Sequence, residues 1–377
     1  MALTLSHQTA LDVIRTLRSQ GDNLHQMDTT PFSSPVAPIG QRWNAQNFNS
    51  DVWQWPMPSQ LHPLHVLVPA DRGRMRGLMI KEHTTRRDLP AGSILWLDER
   101  ASVVCPELLF LQMAESFSLP ALVMLGNELC GHFSRFATEP LAGDVVDGIP
   151  TATSAESLKS YLCHFGGRRG VANAREALRY ICDHAVSAPE ALLATIYALP
   201  HTESGYGFGP VRLNDRVHVD DDGSWVRVKS RYPDLTFGFA PVGINYDGSK
   251  HFDLGKLMLS ADAFARADAQ SQGKARETLK QELVKVRAKV LDDNLRNRQL
   301  AAQGQIIFPV TKEDVADGRH LDALSRQVLS CAHRVFGVNV SKYLKPLDDT
   351  SLTRDRWELL STLLPNGGFG RSSYGRM

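Results

Sequence analysis

Between Ser187 and Leu300 the chain gathers acids, amides and cations at spacings that local structure turns into shared faces. Side chains alternate along a strand, so Asn245 and Asp247 point one way and Tyr246 the other. Carboxylate and amide oxygens on one face are the donors a hard divalent cation takes, and such a cation neutralises phosphoryl oxygens and activates an attacking water. Period-two spacing likewise puts Arg227, Lys229 and Arg231 on one face, where they can meet phosphates. Lys250 and His251 follow the Asp247-Gly248 dipeptide, close to the same strand end. Each residue also has a plainer role. Ser187 and Glu190 have the spacing of a capping box, Asp247-Gly248 is a common turn pair, and a lone His251 is more often a surface histidine. Asp293 and Arg296 stand three apart on a helix, where an intrahelical ion pair is sufficient explanation.

The elements that must hold these residues follow in a readable order. A helix opens at Ser187. Pro210 to Val219 and Ser224 to Arg231 read as a hairpin around Asp220-Asp221-Asp222-Gly223, and Tyr232 to Phe239 and Val242 to Asp247 as further strands. A helix is expected from about Lys274 to Gln303, stopped by Gly304, and then a strand over Gln305 to Val310. Upstream, Leu5 to Leu17 suits a short amphipathic helix, and Asp28 to Leu61 reads as an irregular segment around Trp43, Trp53 and Trp55. Short apolar runs from Leu64 to Leu97 resemble strands, with arginines at 72, 74, 76, 86 and 87 between them. Ala101 to Phe117, Ser157 to Cys163 and Val171 to His184 look helical, and the run before Asn127 looks strand-like. No chemistry attaches to Asn127 to Phe133. The glycine-rich tail from Asn366 reads as mobile.

The order of elements and the residues at their joints resemble the very-short-patch-repair-like branch of the PD-(D/E)XK nuclease superfamily. The shared pattern is Ser187-x-x-Glu190, then Asn214, then Pro233-Asp234, then Asn245-x-Asp247-Gly248-x-x-His251, and last Asp293-x-x-Arg296-x-x-x-Leu300 before Gly304. It covers about 150 residues, from Ser187 to Phe336. The resemblance implies a restriction-endonuclease-like domain with Asp234, Asp247, Glu190 and His251 as catalytic residues. It implies Asp234, Asp247 and Asn245 as ligands of Mg²⁺, with Mn²⁺ as a substitute. Asn245 departs from the pattern, which has Glu there; an amide brings no charge and cannot act as a base. Arg227, Lys229, Arg231, Lys250 and Arg296 are the candidate nucleic-acid contacts. Many bacterial proteins of this kind are labelled abortive-infection (AbiE-type) type IV antitoxin-like, which adds a cognate toxin protein as a partner.

Lys and Arg total 42 against 41 Asp and Glu, so a basic surface has to be local. The helix before the last strand is one such place: Lys274, Arg276, Lys280, Lys285, Arg287, Lys289, Arg296 and Arg298 outnumber Glu277, Glu282, Asp292 and Asp293. No leader or membrane segment is legible, which suggests a cytoplasmic protein, and five scattered cysteines suggest buried thiols rather than a zinc or redox pair. The expected fold class is α/β. Its parts are an N-terminal helix with a Pro/Asn/Ser-rich irregular segment over 1–61, a small α+β domain over 62–170, a restriction-endonuclease-like mixed sheet flanked by helices over 171–340, and an extension with a mobile tail over 341–377. Two functions compete for that arrangement. One is a metal-dependent DNA endonuclease with a degenerate site; the other is a catalytically inactive DNA-binding regulator such as an antitoxin. A purely structural interaction module is a third.

Overall fold

A computed structural model describes residues 3–31, 58–70, 79–85, 89–99, 101–135, 145–219, 228–247, 254–268 and 271–363. Trp43, Trp53 and Trp55, the upstream arginine loops, Arg227, Lys250, His251 and the glycine-rich tail lie outside the described residues. The protein is α/β with mixed sheets, and its described residues fall in two compact units, Met1–Gly205 with 359–363 and Tyr206–Glu358. No described helix is long and apolar enough to cross a membrane.

The first unit begins with β1 (Leu3–Leu5) and α1 (His7–Gln20), which presents Ala10, Leu11, Ile14 and Leu17 to the core at helical spacing. Then come β2 (Leu64–Pro69), β3 (Ile80–Thr85), β4 (Ile94–Trp96) and β5 (Ala101–Val104). These form one five-stranded sheet in the order β3-β2-β1-β5-β4. Because β1 pairs with both β2 and β5, the first residues belong to the sheet that the 62–170 segment builds, and the two do not separate. Helices α2 (Pro106–Met113) and α3 (Leu119–Leu129), the hairpin β6 (Phe133–Arg135) and β7 (Val145–Asp147), and helices α4 (Ala155–Leu162), α5 (Val171–Ala177) and α6 (Ala188–Ala198) complete the unit. Since α6 packs on α3, the division falls after Gly205 rather than before Val171.

Several local expectations shift for physical reasons. Ala101 to Val104 is a strand, because β-branched Val103 and Val104 suit a sheet and Pro106 then starts a helix capped by Cys105. The strand-like run before Asn127 is helix, capped by the Ser118 hydroxyl. The helix expected over Val171 to His184 stops at Ala177. Cys105, Cys130 and Cys182 are buried as expected, whereas Cys163 is exposed.

The second unit contains β8 (Val211–Leu213), β9 (Val217–His218), β10 (Ser230–Arg231), β11 (Leu235–Phe237) and β12 (Val242–Asp247), then α7 (Leu254–Arg266), α8 (Gln272–Ala302) and β13 (Ile306–Thr311). Helices α9 (Lys312–Ala316), α10 (Gly318–Phe336), α11 (Ser341–Leu344) and α12 (Thr350–Leu363) follow, α12 as far as Glu358 in this unit. The sheet order is β13-β12-β11-β8, antiparallel except for the parallel β12–β13 pair, which the α7–α8 crossover makes possible. Of the expected hairpin, the described residues hold the pair β9–β10, its turn around Asp220-Asp221-Asp222-Gly223 lies outside them, and β8 pairs with β11. Only the last third of α8 reaches the core, through Leu295, Gln299 and Leu300; residues 272–291 have no buried side chain and pack with α7.

Gly243 fixes how closely β11 and β12 approach, because a Cβ there would lie 2.3 Å from the Leu235 carbonyl and 2.9 Å from Cδ1 of Ile307. Gly243→Ala is therefore expected to destabilise the second unit by about 1–3 kcal/mol, read as a lower urea midpoint.

Candidate functional site

The register Leu235↔Ile244, continued by one residue, sets Asp234 opposite Asn245, and alternation puts Asp247 on the same face of the sheet. Asn214, next to β8, donates its backbone N–H to the Asp234 carbonyl at 3.2 Å. Three residues of the sequence pattern, Asn214, Asp234 and Asn245, thus occupy one rung across neighbouring strands. Asn214 turns out of its strand with φ +52°, a left-handed conformation that asparagine tolerates.

The bonds within that rung are reciprocal. The Asp234 backbone N–H donates to Oδ1 of Asn245 at 2.9 Å, and the Tyr246 N–H donates to Oδ2 of Asp234 at 2.6 Å. Each side chain thereby binds the backbone of the other strand where β11 begins. Asn245 is only 2% exposed, and its Nδ2 has no hydrogen-bond partner among the described residues. Asp234 and Asp247 are half-buried. On the opposite face Tyr246 is buried, and burial pushes its phenol above the ordinary range.

Oδ1 of Asn245 already accepts from the Asp234 N–H, which leaves it one lone pair, and the uncharged amide adds no anionic ligand beside Asp234 and Asp247. Glu190 belongs to the first turn of α6. Its Oε1 accepts from the Ser187 hydroxyl at 2.8 Å and its Oε2 from the Val186 N–H at 3.0 Å, at the start of α6 in the first unit. The capping reading of Glu190 is the one its contacts support.

The cation set also divides. Arg231 is buried, with Nε donating to Gln299 at 2.8 Å and Nη2 to Asp292 at 2.9 Å, so it braces β10 against α8 and is not offered to a phosphate. Lys229 is exposed. Arg296 pairs with Asp293 at 3.2 Å within α8, the plain intrahelical role; Nε of Arg296 and Oδ2 of Asp293 are buried without a hydrogen-bond partner among the described residues. Among the other exposed cations of the unit, Lys274, Arg276, Lys280 and Arg287 lie earlier on α8.

Two groups in the first unit escaped the sequence reading. Asn127 and Glu128 tie together segments more than fifty positions away. His7, His65 and His83 converge from three elements. Neither group has a spacing signal, because its partners meet only through long-range packing. Compared with protein-family models, curated proteins and solved structures, the chain matches none.

Proposed function

We propose that the second unit is a restriction-endonuclease-like module that binds nucleic acid without cutting it, a regulator rather than a nuclease. The reciprocal bonding of Asp234 and Asn245 carries this reading. The pattern's acid is an amide there, and its oxygen accepts from the backbone of the neighbouring strand while Asp234 accepts from Tyr246. Exposed cations on α8 supply the electrostatic part of the reading, since Lys and Arg that neutralise phosphates give binding that weakens as salt rises. Asp247, half-buried at the end of β12 on the same face, favours the second reading, a Mg²⁺-dependent endonuclease. An antitoxin-like role would add a toxin protein as partner, tested by co-purification with the product of a neighbouring gene.

The full chain is expected to bind duplex DNA and leave it intact in Mg²⁺ or Mn²⁺. Lys274→Ala/Arg276→Ala/Lys280→Ala should lower the slope of log affinity against log salt by about one unit per cation removed. Arg231→Ala should leave that slope unchanged. Metal-dependent cleavage by the wild type, abolished by Asp234→Ala, would establish the nuclease instead. A salt slope untouched by the triple substitution would remove α8 from the interface.

A further inference from the structure

We propose that His7, His65 and His83 form a binding site for a divalent transition metal of the zinc type, independent of the second unit's function. One ligand nitrogen from each histidine lies within 4.8 Å of the other two. Nε2 of His83 and Nδ1 of His65 are 2.9 Å apart, and the His7 and His83 rings stack with centroids 3.4 Å apart. Zinc takes imidazole nitrogens at about 2.0–2.1 Å, which places two nitrogens of a tetrahedral site about 3.3 Å apart. Small side-chain rotations bring three nitrogens to that separation, with the ion replacing the proton between His65 and His83.

The backbone around the cluster is held independently of any ion. The Ser6 N–H donates to the His65 carbonyl at 3.0 Å, the His65 N–H to Oγ1 of Thr9 at 2.9 Å, and the His7 N–H to Oε1 of Gln112 at 3.0 Å. The parallel register of β2 and β3 pairs His65 with Lys81 and Leu67 with His83, so both histidines project from one face of the sheet. His7 opens α1 with φ +49°, an unusual backbone for a non-glycine residue, and its ring thereby lies on His83. Strain of this kind collects at sites where a side chain has to be aimed.

Chemistry agrees with geometry. An imidazole ligates only when neutral, and three imidazoles without a carboxylate suit zinc, copper or nickel rather than magnesium or calcium. Burial first, then the neighbouring histidines with Lys81 and Arg168, lowers His7 to about 2. Burial and Lys81 lower His65 to about 4, and burial, His65 and Lys81 lower His83 to about 4. Three neutral ligands leave the fourth position to water or a small anion, and the nearby positive charges of Lys81 and Arg168 favour an anion there.

The test uses tag-free full chain and Zn²⁺, with Mg²⁺ as control. Zinc is expected to bind one to one, to survive dialysis and to raise the melting temperature of the wild type, with no effect of Mg²⁺. His65→Gln and His83→Gln should each lose at least about 100-fold in zinc affinity while keeping the wild-type far-ultraviolet spectrum. Cobalt(II) answers separately from any variant: visible bands of a four-coordinate site without sulfur charge transfer would identify nitrogen ligands and exclude the exposed Cys163. Failure of the wild type to retain zinc would overturn the proposal. So would equal affinity in a folded His83→Gln variant, or a sulfur charge-transfer band.

Discussion

Glu128→Ala is expected to destabilise the first unit by about 3–5 kcal/mol, much of the ~5–15 kcal/mol that holds a typical domain. The carboxylate is 1% exposed and meets Arg15 through two bonds, Nε to Oε1 at 2.8 Å and Nη2 to Oε2 at 2.7 Å. The Arg135 N–H donates to Oε1 at 3.1 Å, and the Arg135 guanidinium lies 3.7 Å from Oε2. Removing the acid leaves two largely buried guanidiniums facing each other without their counter-charge. The same group makes acid stability specific. Burial alone would raise the carboxyl, but Arg15 and Arg135 outweigh it and hold Glu128 at about 2. A depressed folded value means that this contribution is complete above the ordinary carboxylate range, near 4.5, and is lost as pH falls through about 2. Urea midpoints should therefore decline between about pH 4.5 and 2, and Glu128→Gln should flatten that decline. A wild-type midpoint unchanged over that window would refute the assignment.

Arg356→Met is expected to destabilise the second unit by a similar amount, about 3–5 kcal/mol, yet most of the loss should return when Asp322 is also made apolar. Arg356 is fully buried and reaches both oxygens of Asp322, at 2.9 and 3.1 Å, while its Nη2 donates to the Pro346 carbonyl at 3.0 Å. Asp322 also accepts from the Tyr206 hydroxyl at 2.7 Å and the Thr353 hydroxyl at 2.5 Å, and the guanidinium lies over the Tyr206 ring at 4.5 Å. Cutting one partner strands a buried charge; removing both exchanges an ion pair for apolar packing. A double-mutant cycle over Arg356→Met and Asp322→Leu, followed by urea denaturation, separates the two cases. Additive losses in the double variant would show that packing, not the stranded charge, sets the cost.

What the sequence made legible was local. The Ser187-x-x-Glu190 cap, the shared face of Asn245 and Asp247, and the helix-then-strand ending of α8 and β13 each depend on neighbours within a few positions. The rung that joins Asn214, Asp234 and Asn245 depends on the register of three strands, and an aligned pattern of residue types carried it only as an expectation. Uniform apolarity hid α3, because a run buried on every side has no helical period. Asn127 illustrates what stayed illegible. Its Nδ2 bonds to Oγ1 of Thr195 and its Oδ1 accepts from the Cys182 N–H, so its role is written in residues 55 and 68 positions away. Arg231 reversed its meaning for the same reason: alternation placed it with Lys229, but Asp292 and Gln299 on α8 decided where its guanidinium went.

Helix α8 joins two thermodynamic regimes within 31 continuous residues. Around Leu295 and Leu300 an amide can exchange its hydrogen only when the sheet layer opens, so its protection follows the global stability of the unit. Between residues 272 and 291 no described side chain is buried, the helix packs with α7, and Leu283 and Val284 are more than half exposed. Opening there costs little more than unwinding an isolated helical hairpin, and a short helix in water is marginal by itself. One regular helix thus carries a gradient of exchange rates along its axis, and its cationic turns can unwind and re-form without disturbing the strands beneath.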